Sequence, residues 1–174
     1  MRKNLSQTLW FTGLPGSGKT TITKALADSL RANGENVCII DGDELRSGLC
    51  KDLGFNKIDR AENIRRAAHI AKILNLNGVC TLVAMVSPYA EDRDMAYEII
   101  GKDRCIEVYV STPLEICEQR DPKGLYAKAR NDSTTLMTGI QSPYEAPREP
   151  SLTIDTSRED LSISIHNLST LLNK

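Results

Sequence analysis

Short, unbroken apolar runs alternate with longer segments of helical periodicity along this chain of 174 residues. A strand with one solvated face alternates apolar and polar side chains, whereas a strand covered on both faces is apolar at successive positions, as in parallel sheets. The runs here are of the second kind. They predict strands at 8–12, 37–41, 79–86, 105–110 and 152–155, with helices at 19–33, 58–77, 89–100, 114–120 and 161–172.

This order of elements predicts an α/β fold, a doubly wound parallel sheet that forms one domain over residues 1–174. Gly34 and Gly78 follow two of the predicted helices, at the position where glycine commonly ends a helix. Residues 120–150 differ in character, because they are rich in Lys, Arg, Pro and Gly and contain no long apolar period. We expect this segment to form a basic lid, a mobile loop over the functional site.

Charge, apolar runs and cysteine content bear on the partners and the cellular location of the protein. The 22 Lys and Arg residues nearly balance the 23 Asp and Glu residues, so nothing favours nucleic acid or an anionic membrane as a partner. The first residues lack the apolar run of a signal peptide, and no stretch approaches the roughly 20 apolar residues that span a bilayer, so we expect a cytoplasmic protein. The five cysteines are odd in number and widely spaced, which favours free thiols.

Residues 13–20 read GLPGSGKT and match the phosphate-binding pattern GxxxxGK[ST] in full. The motif follows an apolar run and opens a helical segment, which is the strand–loop–helix context it requires. Glycines let backbone N–H groups turn toward phosphate oxygens, Lys19 would neutralise phosphate charge, and Thr20 would bind Mg²⁺. We therefore predict ATP and Mg²⁺ as cofactors, held by Gly13, Leu14, Pro15, Gly16, Ser17, Gly18, Lys19 and Thr20 with the adjacent Thr21.

Two short motifs match those of switch GTPases. Residues 121–124 fit DxxG, and residues 56–59 fit the guanine-reading pattern NKxD. In switch GTPases DxxG precedes NKxD, and NKxD follows a buried strand. Here the order is reversed, and NKxD follows the sequence KDLGF. The sequence therefore favours a kinase over a GTPase switch.

A second cluster of chemistry-bearing residues follows the second predicted strand. The motif DGDELR puts carboxylates at the carboxyl end of that strand, the edge at which open α/β sheets bind ligands. Asp43 is the candidate base for an attacking hydroxyl group or a holder of Mg²⁺-bound water, and a helix N-cap is the alternative role. Planar guanidinium groups suit an anionic, phosphate-like substrate, and the side chains that follow are Arg46, Arg60, Asn63 and Arg66. A solvated helix face explains Arg66 equally well.

Together these residues resemble the adenylylsulfate (APS) kinase family. The resemblance rests on GLPGSGKT, DGDELRSGL, KDLGF, DRAENIRR, SPY, EVYVSTPLEICEQRDPKGLYAKAR and TGIQSPYEAP, which extend over residues 12–147. Members of this family transfer the γ-phosphoryl group of ATP to the 3′-hydroxyl group of adenosine 5′-phosphosulfate, giving 3′-phosphoadenylylsulfate and ADP. The resemblance implies a P-loop kinase fold, a role in sulfate assimilation and a homodimer.

The resemblance also implies roles for individual residues. Phe55 would stack on the base of the acceptor nucleotide, and Lys123 of the lid would reach the transferred phosphoryl group. Ser87 aligns with a serine described in the family as a phosphoserine intermediate. No histidine lies near it in sequence to activate it, so we expect a hydrogen bond to substrate instead. The implied catalytic residues are Lys19, Asp43, Ser87 and Lys123; the acceptor site adds Arg46, Phe55, Arg60, Asn63, Val86 and Met137, and the ATP site adds Arg130 and Thr156.

One stretch departs from the family pattern. Members usually continue from the lid as KARxGEIKxFTGI, whereas this chain reads KARNDSTTLMTGI, so Met137 stands in place of a second base-stacking Phe. Two hypotheses stay open: variation within an APS kinase, or a 3′-hydroxyl kinase of another nucleotide, such as cytidine diphosphoramidate in capsule modification. A non-enzymatic nucleotide-binding module is a third, and intact Lys19, Thr20 and Asp43 argue against it.

Overall fold

Residues 6–132 and 136–172 are described by a computed structural model, in which five parallel strands form one sheet. The order across the sheet is 2-3-1-4-5 in chain numbering, and every neighbouring pair is parallel. The strands are β1 (Thr8–Gly13), β2 (Val37–Asp41), β3 (Cys80–Ala84), β4 (Cys105–Val110) and β5 (Leu152–Ile154). The helices are α1 (Lys19–Ala32), α2 (Gly42–Ser47), α3 (Lys57–Leu76), α4 (Ala90–Ile100), α5 (Leu114–Arg120), α6 (Leu125–Asn131) and α7 (Leu161–Leu172).

Helices cover both faces of the sheet. On the central strand, Leu9 and Phe11 belong to the core cluster that contains residues of α1 and α7, while Trp10 belongs to the cluster that contains residues of α3 and α4. All three side chains are fully buried. Coverage on both faces explains why the strands are apolar at successive positions, and it confirms the predicted doubly wound parallel fold.

The N-terminal end of α3 carries polar side chains into the edge of the core. Asn56 caps the helix, because its side-chain oxygen accepts a 2.9 Å hydrogen bond from the Asp59 N–H. One face of α3, formed by Ile64, Ala67, Ala68 and Ala71, is buried, and Arg60 and Asn63 continue it at the start of the helix. Since α3 returns from the carboxyl ends of the strands, it places both residues at the edge where α/β sheets bind ligands.

Two short helices were not predicted. Helix α2 follows β2 directly and buries no residue, so it leaves no apolar period in the sequence. Helix α6 lies inside the segment expected to be a loop, and it buries Tyr126 and Ala129. The lid is therefore partly helical. Residues 133–135, which belong to the departure from the family pattern, lie outside the described residues.

Within the described ranges, no helix is long and apolar enough to cross a membrane.

Candidate active site

A cavity of about 1270 Å³ opens at the carboxyl edge of the sheet. Pockets for one small molecule measure roughly 300–1,000 Å³, so this cavity has room for two substrates. Its walls come from the phosphate loop, α2, the start of α3, the turn after β3, and the lid. Of the predicted site residues, it brings together Pro15, Gly16, Gly18, Lys19, Thr20, Thr21, Asp43, Arg46, Phe55, Arg60, Asn63, Val86, Ser87, Lys123, Met137 and Thr156.

The phosphate loop joins β1 to α1 and needs glycine at two positions. A Cβ atom on Gly13 would overlap the carbonyl oxygen of Val110, and Gly18 has a φ of 103°. Because Gly18 takes the N-cap position without a side chain, the first N–H groups of α1 stay uncovered toward the cavity. Leu14 and Ser17 complete the loop behind the residues that line the cavity.

Lys19 is folded back onto the loop it belongs to. Its Nζ donates hydrogen bonds of 2.9 Å to Gly13 O and 2.8 Å to Leu14 O, and the residue is 8% exposed. Burial lowers the pKa of Lys19 from 10.5 to about 8, and the nearby carboxylates of Asp41 and Asp43 oppose that shift. A bound phosphate would place negative charge beside this ammonium group and so favour its protonated form.

Two threonines brace the phosphate loop from below. Thr112 Oγ1 donates a 3.0 Å hydrogen bond to Ser17 O, and Thr156 Oγ1 donates one of 2.9 Å to the same oxygen. Arg120, which lines the cavity, reaches Thr156 with hydrogen bonds of 2.6 Å to Oγ1 and 3.0 Å to O. No sequence motif singled out Arg120, although its place at the end of α5, just before the lid, was a usable signal.

Thr20 and Asp41 form the candidate magnesium site. Thr20 Oγ1 donates a 2.9 Å hydrogen bond to Asp41 Oδ2, and both residues line the cavity. Hydroxyl and carboxylate oxygens are hard ligands that suit Mg²⁺. Among the described residues, no three His, Cys, Asp or Glu side chains are grouped to hold a metal. These residues fit an ion that is bound by one carboxylate, one hydroxyl group and the phosphates of a nucleotide.

Asp43 forms an ion pair with Lys123 across the cavity. Asp43 stands in the first turn of α2, and Lys123 belongs to the lid between α5 and α6. Asp41 caps α2 by accepting a 2.9 Å hydrogen bond from the Asp43 N–H, so the alternative cap role falls to Asp41. The structure thus brings the candidate base and the candidate lid cation together.

Arg46, Phe55 and Arg60 form a cationic wall opposite the phosphate loop. The guanidinium carbons of Arg46 and Arg60 lie 4.4 Å and 5.7 Å from the centre of the Phe55 ring. Burial lowers the pKa of both arginines, and the charge of Arg46 lowers that of Arg60 further. Phe55 is 57% exposed, which leaves ring surface open to a ligand. An anion bound here would relieve the repulsion between the two cations.

Asn63 lies behind this wall and points to a polar ligand. It is 3% exposed, and its Oδ1 has no hydrogen-bond partner among the described residues. Buried polar groups are rarely left unpaired unless a ligand, ion or water satisfies them. Arg66, by contrast, donates two 2.8 Å hydrogen bonds to the Asp52 carboxylate and one of 2.9 Å to Glu62, so it holds the loop before α3 rather than the cavity.

Ser87 is buried at the end of the turn after β3. Its Oγ accepts a 3.0 Å hydrogen bond from Trp10 Nε1 and donates one of 3.3 Å to Met85 O. The hydroxyl proton is therefore committed to a backbone carbonyl, and the described contacts include no general base that would take it. Val86 precedes it, and its carbonyl accepts a 2.8 Å hydrogen bond from Thr12 Oγ1. The arrangement favours a hydrogen-bonding role for Ser87 over a nucleophilic one.

Met137 lies where the lid meets the cavity. It is 6% exposed and packs in a cluster with Cys117, Tyr126 and Ala129. Tyr126 Oη donates a 2.8 Å hydrogen bond to Pro15 O, which ties the lid to the phosphate loop. Met137 therefore both lines the cavity and belongs to the core of the lid.

Arg130 of the lid is a predicted site residue that does not line the cavity. Its Nη2 donates a 2.6 Å hydrogen bond to Glu118 Oε1, on the outer side of the lid. Lys128, two residues earlier on α6, lines the cavity instead. Positions two apart face different sides of a helix, so the sequence motif alone did not indicate which basic side chain turns inward.

A parallel 2-3-1-4-5 sheet, a phosphate loop between β1 and α1, and one large cavity at the carboxyl edge of the sheet are the features of a P-loop phosphotransferase. The adenylylsulphate kinase family model matches residues 5–155. The chain belongs to the adenylylsulphate kinase family.

Individual relatives cover nearly the whole chain. It is 51% identical over 160 residues to the adenylyl-sulfate kinase of Bacteroides thetaiotaomicron, covering 92% of this chain and 80% of that protein. It is 46% identical over 168 residues to the adenylyl-sulfate kinase of Clostridium acetobutylicum, covering 97% and 84%. A solved structure of the Mycobacterium tuberculosis APS kinase in complex with AMPPNP and APS superposes with a TM-score of 0.93 at 42% identity, covering 97% of this chain and 98% of that one.

Proposed function

We propose that this chain is an ATP-dependent adenylylsulfate kinase, which forms 3′-phosphoadenylylsulfate and ADP for sulfate assimilation. The observation that carries the proposal is the arrangement of charge in one cavity, with Asp43 between two cationic sites. The charge of Asp43 acts on Lys19 of the phosphate loop and also on Arg46 of the facing wall. The similar proteins named above are adenylyl-sulfate kinases, and the structure of one of them is a complex with AMPPNP and APS.

The cavity suits direct transfer between two nucleotides. The N–H groups at the start of α1 and the Lys19 ammonium would hold the β- and γ-phosphates of ATP. The buried Asn63 amide and the guanidinium groups of Arg46 and Arg60 would hold the phosphosulfate end of the acceptor. Phe55 would offer its exposed ring to the base of the acceptor.

The chemical step would use the side chains between these subsites. The Asp43 carboxylate accepts the proton of the 3′-hydroxyl group as that oxygen bonds to the γ-phosphorus, and the bond from the γ-phosphorus to the β–γ bridging oxygen breaks to release ADP. Lys123 would leave Asp43 and contact the transferred phosphoryl group, because the acceptor hydroxyl group takes its place beside the Asp43 carboxylate. Lys19 stabilises the charge that develops on the leaving oxygen.

Mg²⁺ would be held by Thr20 and Asp41 together with ATP phosphates, and when bound it would neutralise phosphate charge during transfer. The role of these two residues is to fix the position of the triphosphate relative to Asp43. Asp41 connects the candidate magnesium site with Asp43, because its other carboxylate oxygen caps the helix that carries Asp43.

A coupled ADP-release assay tests the proposal. Mg-ATP is offered with APS or with cytidine 5′-diphosphate analogues, and the 3′-deoxy form of each serves as control. We expect turnover with APS that vanishes with 3′-deoxy APS. Turnover on a cytidine analogue alone would show that the acceptor is wrongly assigned and that the enzyme is a 3′-hydroxyl kinase of another nucleotide. Met137, in place of the base-stacking Phe, is compatible with that outcome. Tight ATP binding without transfer to any nucleotide would instead support a non-enzymatic module.

We further propose a homodimer. Helix α3 exposes three large apolar side chains, Ile58, Ile73 and Leu76, within one broad face of the helix. Exposed apolar groups that share a face are typical of association surfaces. Light scattering after size exclusion is expected to give twice the 19.2 kDa chain mass. Ile73→Lys with Leu76→Lys should then yield a monomer, and a monomeric unchanged chain would refute the proposal.

A further inference from the structure

Arg93 is a buried cation that the proposed chemistry does not use. It stands on α4, is 2% exposed, and donates in three directions to three separate segments. Its Nε lies 3.0 Å from Glu107 Oε1 on β4, its Nη1 lies 2.8 Å from Ser87 O, and its Nη2 lies 2.8 Å from Glu145 O. The planar fork of a guanidinium group is what allows one side chain to serve three fixed acceptors.

The Ser87 carbonyl that Arg93 holds belongs to a strained residue. Ser87 has a φ of 39°, a region that residues other than glycine rarely adopt. Thr12 Oγ1 lies 3.3 Å from the same carbonyl, and Trp10 Nε1 holds the Ser87 side chain. Such backbone persists only where the surroundings fix it, and it is commonly found at functional sites. Here the strained residue lines the acceptor side of the cavity.

The segment that returns from the lid is tied to the same turn. Glu145 N donates a 2.8 Å hydrogen bond to Pro88 O, and Glu145 Oε2 accepts one of 2.8 Å from Ala90 N at the start of α4. Tyr144 Oη lies 2.8 Å from Thr12 Oγ1. Arg93 joins this assembly through Glu145 O. The turn after β3, which contains Ser87 and Pro88, and the segment around Glu145, called the return segment below, are therefore one hydrogen-bonded unit that contains Arg93.

We propose that Arg93 is a positioning residue for the acceptor, fixing the strained Ser87 turn and coupling it to the segment that returns from the lid. The inference rests on the proposed function, because the acceptor is defined there. A buried ion pair is weak evidence for stability, since desolvation offsets much of the attraction, and in some proteins such pairs serve to specify one arrangement instead. An apolar side chain at this position would pack against the same segments without fixing the direction of the Ser87 carbonyl.

Arg93→Lys tests the proposal, because lysine keeps the charge and loses the planar fork. We expect the KM for the acceptor to rise about tenfold while the KM for ATP stays within about twofold, since small displacements of a positioned group cost substantial rate. Trp10, the only tryptophan of the chain, reports on the Ser87 hydroxyl group, so its emission in the ligand-free protein should shift as well. A folded variant with unchanged acceptor KM and unchanged Trp10 emission would overturn the proposal.

If Arg93→Lys does not fold, Glu145→Ala tests the coupling of the return segment to the turn, because Glu145 is exposed and its carboxylate ties that segment to α4, while its carbonyl group stays available to Arg93. It should raise the acceptor KM about threefold. Glu149→Ala is the matched control: Glu149 is an exposed residue of the same segment without a hydrogen bond or ion pair to described residues. Equal acceptor KM values in these two variants would overturn the coupling. If the unchanged chain does not use APS, the proposed function fails, and Trp10 emission still tests how Arg93 holds the turn.

Discussion

Thr20 and Asp41 are joined by a 2.9 Å hydrogen bond, and the second carboxylate oxygen of Asp41 caps the helix that carries Asp43. One side chain therefore connects the candidate metal site with the candidate base. The link follows from chain order, since β2 ends at Asp41 and α2 begins at the next residue. It fixes the position of the candidate base relative to the candidate metal site.

Asp41→Asn separates these two roles. Asparagine caps helices as well as aspartate does, so α2 and the thermal midpoint should change little. The neutral amide is a poorer ligand for a hard cation, and we expect the Mg²⁺ concentration for half-maximal rate to rise about tenfold. Titration of Mg²⁺ at fixed ATP measures it, with the exposed Asp28→Asn as control. An unchanged Mg²⁺ requirement would place the metal elsewhere.

The lowered pKa of Lys19, about 8 in the ligand-free protein, predicts proton uptake when ATP binds. Phosphate charge favours the ammonium form of Lys19, so Lys19 should take up a proton when ATP binds near pH 8.5. Calorimetry in buffers of different ionisation enthalpy measures this uptake.

The same pKa affects stability. From pH 8 to about 10.5 the unfolded chain binds more protons at Lys19 than the folded chain, so this residue makes the free energy of unfolding rise with pH there. Lys19→Met should abolish the uptake and most of the transfer. Equal heats in all buffers would contradict the assignment.

Asp43→Asn should lower kcat about 100-fold or more, because general-base catalysis contributes factors of that size. The KM for ATP should change little, since the side chain that this carboxylate contacts is Lys123 of the lid and not a residue of the phosphate loop. Steady-state kinetics with saturating ATP measure the effect. Glu44→Gln, the next carboxylate on α2, is the control and should stay close to the unchanged rate. A similar loss in both variants would point to a general electrostatic effect.

Ser87→Ala should retain turnover within about tenfold of the unchanged chain, because the serine acts through hydrogen bonds. It should also lower the thermal midpoint, since the buried Trp10 N–H loses its acceptor. No stable phosphoserine should form when γ-labelled ATP is added to the unchanged protein. Complete loss of transfer in a folded variant that binds ATP would support a covalent route.

Met137→Phe should lower the KM for APS about fivefold, since stacking of a base on an aromatic ring contributes about 1 kcal/mol or more. The KM for ATP should not change. Leu136→Phe is the matched control, because Leu136 is the exposed neighbour of the buried Met137. A weaker affinity for APS would show that the lid cluster lacks room for the ring, or that the pocket is shaped for another base.

The buried strands and the phosphate loop could be predicted because each leaves a local pattern. Two strands, β2 and β4, and two helices, α5 and α7, have the predicted limits. Helix α2 left no pattern, because a six-residue helix with no buried side chain has no apolar period. The family motifs indicated Asp43, Arg46 and Arg60, which the structure gathers in the cavity.

The rest of the site depends on contacts between residues that are distant in sequence. Thr156 reaches Ser17 across 139 positions, and Arg93 reaches Glu145 across 52. No local pattern encodes such a pair. Arg130 shows the same limit within the lid, because the choice between the inner and outer face of α6 is set by its pairing with Glu118.

The lid contacts two opposite walls of the cavity. Tyr126 donates to the phosphate loop at Pro15, and Arg60 of the acceptor wall donates a 2.9 Å hydrogen bond to Leu136 O. We expect a lid that contacts both walls to close fully only when ATP and the acceptor are bound together, so ATP bound alone should be hydrolysed slowly.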